Sequence, residues 1–147
     1  LYKHPKSGEQ AHMVFTGGEP LMRNAQRAAV AIMQAYRSVE YSKRPSWITF
    51  ETNGTQKLSP EFMNFFSNRG SFQSKLFWSC SPKLWTVSGE RRERAIKPQN
   101  LVDYDLVVNR HRKTDQIPAG QLKFVLGPKK EQWDELDEVI DMYTITD

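Results

Sequence analysis

Residues 12–20, HMVFTGGEP, decide the fold that this sequence predicts. A short apolar run opens the stretch and Gly17 and Gly18 close it, as expected for a buried strand that enters a tight turn. Pro20 has a fixed φ and no backbone donor, so we place it at the first position of a helix. Apolar residues recur behind it at helical spacing, with polar ones opposite. The apolar set is Leu21, Ala25, Ala28, Ala29, Ile32, Met33 and Tyr36, and the polar set is Arg23, Gln26, Arg27 and Gln34.

The same order of elements recurs further along the chain. Residues 47–50, WITF, are rich in β-forming side chains, and residues 51–55, ETNGT, form the turn after them. Ser59 then supplies an N-cap, Pro60 a first-turn proline and Glu61 a carboxylate at the positive helix end. The apolar stripe of this second helix is Phe62, Phe65 and Phe66.

Two more strands are predicted at residues 76–80, LFWSC, and 121–126, QLKFVL. The first ends at 81–83, SPK, and between the two strands residues 100–109 fit either a helix or an added strand. The segment 109–120 is expected to be an exposed excursion. The last helix is predicted to bury Trp133, Leu136, Val139, Ile140 and Tyr143 and to expose Glu131, Asp134, Glu135 and Glu138.

Repeated strand, turn and helix units imply parallel strands joined by helical crossovers. The expected fold class is therefore α/β, a portion of a reduced, partial TIM-type barrel with parallel strands and outer helices. A small open sheet is the alternative. By length, residues 1–147 are expected to form a single domain. A complete eight-unit barrel needs about 250 residues, so the chain supplies at most the central portion of one.

Composition narrows the function classes. The chain has 147 residues, 38% of them hydrophobic, and a net charge of +4, which predicts a folded core rather than disorder. No apolar run approaches the roughly 18 residues that span a bilayer, and the sequence contains no basic stretch followed by an apolar run that would be typical of a signal peptide. The single cysteine, Cys80, fits a reducing compartment, so a cytoplasmic location is expected. One thiol alone holds neither zinc nor an iron–sulfur cluster, and His4, His12 and His111 lack metal-site spacing.

Several other residues are expected to be structural. Cys80 is interpreted as a small buried hydrophobic residue, and the basic run 91–94 as a solvated helix face because Glu90 and Glu93 interleave with its arginines. A second basic patch occupies residues 110–113. The tryptophans are expected in the core or at a subunit interface: Trp47, Trp78, Trp85 and Trp133.

Polar turns follow three successive predicted strands, at residues 16–20, 51–55 and 81–83. The carboxyl ends of parallel strands converge on one crevice, so these turns predict a binding site, although each alone is typical of an ordinary connection. Gly17 and Gly18 allow a ligand to approach the backbone closely. Glu19 is a candidate partner for a ligand ammonium and Lys83 for a carboxylate, and Glu51 or Asn53 for ribose hydroxyls or a second amine.

Residues 14–21, VFTGGEPL, resemble the Gly-Gly-Glu-Pro segment of radical S-adenosylmethionine (SAM) enzymes. Within that superfamily the further motifs are similar to those of 7-carboxy-7-deazaguanine synthases. They are 51–55, ETNGT, then 80–83, CSPK, then 96–98, IKP, and 121–125, QLKFV. The Gly-Gly-Glu-Pro element is widespread and says little about substrate, whereas the ordered set is more specific.

The resemblance implies a lyase that uses SAM, a 4Fe-4S cluster and magnesium. Such enzymes convert 6-carboxy-5,6,7,8-tetrahydropterin to 7-carboxy-7-deazaguanine with loss of ammonia, in queuosine and deazaguanine biosynthesis, and form homodimers on a reduced α/β barrel. Thr16 would contact the pterin substrate and Glu19 would help to set the cofactor-binding turn. The SAM-binding residues implied are Gly17, Gly18, Glu19, Glu51, Asn53, Ser81, Pro82 and Lys83.

The sequence departs from this family at the cluster. The family's Cys-x3-Cys-x2-Cys motif precedes the Gly-Gly-Glu-Pro turn, and neither it nor the magnesium-binding threonine after it is present. We therefore expect an internal portion of a longer enzyme that is inactive alone, with neither cluster nor magnesium ligands in this chain. Two alternatives are another radical SAM enzyme, such as a glycyl-radical activating enzyme, and a non-catalytic basic module that binds nucleic acid. The mild net charge argues against nucleic acid as a partner.

Overall fold

The protein is described by a computed structural model that covers residues 12–68, 74–109 and 120–144, with the single positions 6 and 8. The predicted excursion and the basic patch at 110–113 lie outside these residues, as do His4 and His111. The strands are β1 His12–Phe15, β2 Trp47–Thr52, β3 Lys75–Cys80 and β4 Gly120–Leu122. The helices are α1 Arg23–Tyr36, α2 Pro60–Ser67, α3 Trp85–Ser88, α4 Arg92–Ala95, α5 Pro98–Asn109 and α6 Lys130–Thr144, with a 3₁₀ turn at Tyr41–Lys43.

The four strands form one parallel sheet in the order β1-β2-β3-β4. The register pairs Val14 with Thr49, Phe50 with Trp78, and Ser79 with Gln121. Each strand therefore pairs with the next one along the chain, after a connection that contains at least one helix. The α/β class with parallel strands and outer helices is confirmed, and closure of the sheet as part of a barrel stays a prediction.

The main core lies on one face of the sheet, where helices α1, α2 and α5 pack. Phe50 is at its centre, with its ring 4.8 Å from that of Phe15, 5.2 Å from Phe62 and 5.3 Å from Trp78. Aromatic burial of this kind is the largest apolar contribution to stability in such a core. The remaining buried members include Ile48, Leu76, Ala29, Val30, Met33, Tyr104 and Val107.

Helix α2 forms as the sequence predicts. The Ser59 hydroxyl accepts a hydrogen bond from the amide of Phe62 at 3.3 Å, and Pro60 occupies the first turn. This satisfies one of the amides that a helix start leaves without an intrahelical partner. The phenylalanine stripe is buried, which confirms the predicted face.

Helix α1 differs from the prediction, because it begins at Arg23 and Pro20 lies in the preceding turn. The buried face is rotated as well. Ala28 and Ile32 are exposed, whereas Gln26 and Val30 are buried. The physical reason is the Gln26 amide, which bonds three backbone groups. It donates to the carbonyls of Leu21 (2.6 Å) and Lys57 (2.8 Å) and accepts from the amide of Ser59 (2.7 Å).

The ends of two strands differ from the prediction, and residues 100–109 adopt one of the two structures that the sequence allowed. Strand β2 continues through Glu51 and Thr52, which were predicted to lie in the turn, because both pair in register with β3. Strand β4 ends at Leu122, paired with Cys80 at the end of β3, so its predicted continuation to residue 126 is wrong. The segment 100–109 is helical, as part of α5.

Helix α6 packs on a second, smaller core with Leu84, Ala95 and Ile96 rather than on the sheet. Its predicted faces are partly wrong, since Trp133 is 53% and Ile140 40% exposed while Glu135 is only 4% exposed. Glu135 is buried because its carboxylate accepts hydrogen bonds from α3. The donors are the amides of Trp85 (2.6 Å) and Thr86 (3.0 Å) and the Thr86 hydroxyl.

The predicted solvated helix at residues 91–94 is confirmed only in part. Arg92 is half-buried, forms an ion pair with Glu138 of α6, and lies 4.9 Å from the centroid of the Trp85 ring. It thus joins α4 to α3 and α6, while Arg91, Glu93 and Arg94 are exposed.

Candidate functional site at the carboxyl ends of the strands

The sheet face opposite the helices carries an aromatic pair, Trp47 and Phe77, at its amino end and mostly polar residues toward its carboxyl end, and we call it the inner face. Alternation along the strands places on it His12, Thr16, Thr49, Glu51, Ser79, Gln121 and Lys123. Hydrogen bonds cross it between neighbouring strands, from the Gln121 amide to the Ser79 hydroxyl (3.2 Å) and between the His12 ring and the Thr49 hydroxyl (2.6 Å). The predicted polar turns lie at one end of this face.

Glu51 is at the centre of the polar groups at the carboxyl end of the inner face. Its carboxylate accepts a hydrogen bond from the Thr16 hydroxyl at 3.0 Å, and the Lys123 ammonium lies 3.5 Å away on the other oxygen. The side chains of Lys123 and Glu51 are 45% and 43% exposed. A hydroxyl, a carboxylate and an ammonium from three chain segments therefore face solvent together, which is a suitable arrangement for a polar ligand.

Gly17 and Gly18 form the turn after β1 and have φ values of 87° and 55°. Residues with a Cβ rarely adopt these values, so the turn requires glycine for conformational reasons. A Cβ added at either position would contact nothing within 4 Å. The backbone of this turn is consequently exposed and accessible to a ligand.

Glu19 connects the first two turns through its carboxylate. One oxygen accepts from the amide of Leu21 (3.0 Å) and the hydroxyl of Thr52 (2.6 Å), and the other accepts from the amide of Asn53 (2.9 Å). A carboxylate offers about four acceptor positions, so these three donors leave little of its capacity for a ligand ammonium. The geometry supports a role in setting the turn, and direct contact with a ligand stays a prediction.

The turn after β2 is held by its own side chains. The Asn53 carbonyl accepts from the amide and the hydroxyl of Thr55, at 2.9 and 2.7 Å, in an Asx turn. The buried Asn100 of α5 donates to the carbonyl of Gly54 at 3.0 Å. This hydrogen bond anchors the turn after β2 to helix α5.

The third predicted segment directly follows β3. The Ser81 amide donates to the Thr52 carbonyl at 2.7 Å, so the segment continues the parallel pairing beyond the strand. Pro82 is buried and Lys83 is exposed. The ammonium of Lys83 is thus available at the rim, while the proline fixes the chain beneath it.

Cys80 is buried next to this segment, as predicted. Burial raises the pKa of its thiol to about 12, with the Glu19 charge adding to the rise and the Lys123 charge opposing it. The thiol is therefore protonated at neutral pH, the form that is the weaker nucleophile.

The structure thus joins four of the predicted residues in two separate hydrogen-bonded groups, Thr16 with Glu51 and Glu19 with the amide of Asn53. Residues 81–83 follow the neighbouring strand. Sequence reasoning assigned no role to Thr52, which donates to Glu19, or to Lys123, which lies beside Glu51. For Lys123 a signal was present, because alternation from Gln121 places it on the inner face.

A cleft of about 250 Å³ lies elsewhere, on the helix side of the sheet between β3, β4 and α5. It is mainly apolar and contains none of the nine predicted site residues. The Tyr104 hydroxyl on its wall donates to the Gln56 carbonyl at 2.6 Å, and burial raises the pKa of that phenol. We therefore place the candidate site at the strand ends rather than in this cleft.

The cysteine count does not fit an iron–sulfur cluster of the expected type. Three thiolates are needed for a 4Fe-4S cluster of the expected type, and the sequence has one cysteine. In the described parts of the chain, no group of three or more histidine, cysteine, aspartate or glutamate side chains is arranged to hold a metal ion. The residues do offer groups that suit SAM: exposed backbone at Gly17 and Gly18, a carboxylate at Glu51 and an ammonium at Lys83.

Comparisons with known proteins leave the family open. No family model, curated protein or solved structure matches this chain. Within the described residues, no helix is both long and apolar enough to cross a bilayer. The functional argument therefore depends on the sequence motifs and on the geometry of the strand ends.

Proposed function

We propose that this chain supplies the cofactor- and substrate-binding portion of a radical SAM enzyme. The proposed reaction converts 6-carboxy-5,6,7,8-tetrahydropterin to 7-carboxy-7-deazaguanine with release of ammonia. One observation carries the proposal. Glu19 of the Gly-Gly-Glu-Pro motif bonds to Thr52 and Asn53 of the ETNGT motif, 33 and 34 residues away in sequence. Two motifs that the family resemblance pairs are thus in direct contact, as a shared site requires.

The residues at the strand ends have distinct roles in this proposal. The exposed backbone at Gly17 and Gly18 receives the methionyl end of SAM, and the Lys83 ammonium pairs with its carboxylate. Glu51 accepts hydrogen bonds from ribose or amine groups, and Thr16 contacts the pterin. The side-chain carbonyl of Asn53 is taken by Thr55, so Asn53 uses its NH₂ group to donate to a ribose oxygen. Glu19 holds the two turns at a fixed separation, so the ligand meets a preorganised surface.

The cluster and magnesium are not assigned to residues of this chain. SAM supplies the reactive adenosyl group in this enzyme class, and the cluster that activates it needs ligands beyond the 147 residues. What this chain contributes is binding, orientation and exclusion of water. A homodimer and a cytoplasmic location belong to the proposal on the strength of the resemblance alone.

The proposal is tested by measuring SAM binding to the full 147-residue chain with isothermal titration calorimetry. Gly17→Ala strains a backbone with φ of 87°, and Gly89→Ala strains one with φ of 72° at the end of α3, where an added Cβ also meets nothing within 4 Å. Both variants are expected to lose about 1 kcal/mol of folding stability. Only Gly17→Ala is expected to weaken SAM binding, by about tenfold or more.

Three results would contradict the proposal. Absence of SAM binding to the wild-type chain contradicts the assignment of cofactor binding to this chain's own residues. Equal weakening by both glycine substitutions contradicts the placement of the cofactor on the first turn. Binding of SAM without binding of a pterin contradicts the substrate and favours another member of the superfamily, such as a glycyl-radical activating enzyme.

A further inference from the structure

Lys123 is a cation on the inner face to which neither the sequence motifs nor the proposed function assigns a role. Its backbone amide donates to the Cys80 carbonyl at 2.7 Å, which fixes the residue immediately beyond β4 beside the end of β3. Its ammonium lies 3.5 Å from a Glu51 oxygen. The backbone is thus held firmly, while the charged group reaches across the site.

The ion pair between Lys123 and Glu51 is weak by its geometry. Both side chains are more than two fifths exposed, and 3.5 Å is longer than a good charge-assisted hydrogen bond. Exposed pairs of this kind contribute little to stability, so an incoming anion can replace Glu51 beside the ammonium at small cost. The Thr16 hydroxyl still donates to Glu51 when the lysine has moved.

The proposed reaction, on which this inference depends, presents two carboxylates to the site. SAM carries one and the 6-carboxy-tetrahydropterin carries the other, and each needs a cation when water is displaced. Lys83 is at the rim after β3, at the same end of the sheet as the turn assigned to SAM. Lys123 is on the inner face with Thr16, the residue assigned to the pterin. Two lysines on separate strands therefore match two carboxylates.

We propose that Lys123 binds the carboxylate of the substrate and that Glu51 occupies this position only until the substrate arrives. Binding exchanges one carboxylate for another at the Lys123 ammonium. The exchange frees one oxygen of Glu51 to accept an N–H from the same ligand. The site consequently selects small molecules that carry a carboxylate next to N–H donors and discriminates against the same ring without the acid.

The test compares ligands that differ only in the carboxylate. The binding of 6-carboxypterin and of unsubstituted pterin to the 147-residue chain is measured by fluorescence titration for the wild type, Lys123→Gln and Lys75→Gln. Lys75 is the matched control. It is an exposed lysine at the other end of the inner face, 5.1 Å from the Trp47 ring centroid. Urea denaturation of each variant establishes that it is folded.

We expect the wild type and Lys75→Gln to bind 6-carboxypterin about tenfold more tightly than pterin, an effect typical of one charge-assisted hydrogen bond. Lys123→Gln is expected to bind the two ligands equally. A preference that survives in Lys123→Gln would overturn the role of Lys123 and leave the proposed function intact.

Titration with SAM and with decarboxylated SAM separates the remaining possibilities. If Lys123→Gln removes a preference for SAM and leaves the pterin preference unchanged, the lysine serves the cofactor and the inference is wrong. If SAM binds and neither pterin binds to the wild type, the pterin part of the proposed function fails and the inference fails with it.

Discussion

Replacement of Glu19 by alanine is expected to destabilise the protein far more than the exposure of this residue suggests. The substitution removes the acceptor of three hydrogen bonds, from the amides of Leu21 and Asn53 and the hydroxyl of Thr52. Leu21 and Thr52 are buried, so water does not fully replace the lost acceptor. A donor left without a partner costs roughly 1–3 kcal/mol when buried. Because the site is half open, we take the lower part of that range and expect a total loss of about 3 kcal/mol.

The measurement is the free energy of unfolding in urea, followed by tryptophan fluorescence. Glu19→Gln is expected to lose about 1–2 kcal/mol, because the amide keeps one acceptor oxygen but directs an NH₂ group toward one of the donors. The control is Glu51→Ala, which removes an exposed carboxylate and should change stability by less than about 1 kcal/mol. If the free energy of unfolding of Glu19→Ala is within about 0.5 kcal/mol of the wild-type value, the hydrogen bonds of Glu19 are not what holds the two turns together.

Three further predictions concern the core and its pH dependence. Gln26→Leu is expected to lose about 2–4 kcal/mol in urea denaturation, because the Ser59 amide and two carbonyls lose their partner; an unchanged midpoint would refute this. Glu135→Ala is expected to lose about 2–4 kcal/mol, because two amides of α3 and the Thr86 hydroxyl are left without an acceptor, whereas alanine at an exposed glutamate of α6 should change stability by under about 0.5 kcal/mol. The folded state holds the Cys80 proton up to a pKa of about 12, against 9.0 for an ordinary thiol. The unfolded chain therefore loses this proton first, and this contribution to stability declines as pH rises above about 9, by roughly 1.4 kcal/mol per pH unit. Cys80→Ala should show a smaller loss of stability between pH 9 and 10.5 than the wild type, and equal losses would contradict the burial of the thiol.

Local patterns in the sequence predicted the elements whose stability is local. The apolar runs of β1, β2 and β3, the Ser59 cap and the phenylalanine stripe of α2 all depend on neighbours within a few residues, and all are present. The start of α1 was predicted wrongly because residues 20–22 are held in a turn by Glu19, which is itself bonded to a distant strand end.

Contacts between distant residues account for the other differences. Glu135 lies in an acidic stretch that is typical of a solvated helix face. It is buried because its carboxylate bonds to Trp85 and Thr86, which are 50 and 49 positions away in sequence. Alternation from Gln121 indicates the face on which Lys123 lies, but its position beside Glu51 depends on the register of β3 and β4, which no local pattern specifies. Whether the sheet continues into a barrel depends on pairing at its two outer strands, so that part of the prediction is still open.

The strand order also bears on how the chain acquires its structure during synthesis. Within the described residues, β2, β3 and β4 each pair with the strand made immediately before, across a connection of a few tens of residues, and none is inserted between two existing strands. A ribosome that releases the chain from its amino end would therefore deliver every strand to a partner already in place. The sheet can grow in the order of translation, with no long-range search and little time in which an unpaired edge is open to other chains.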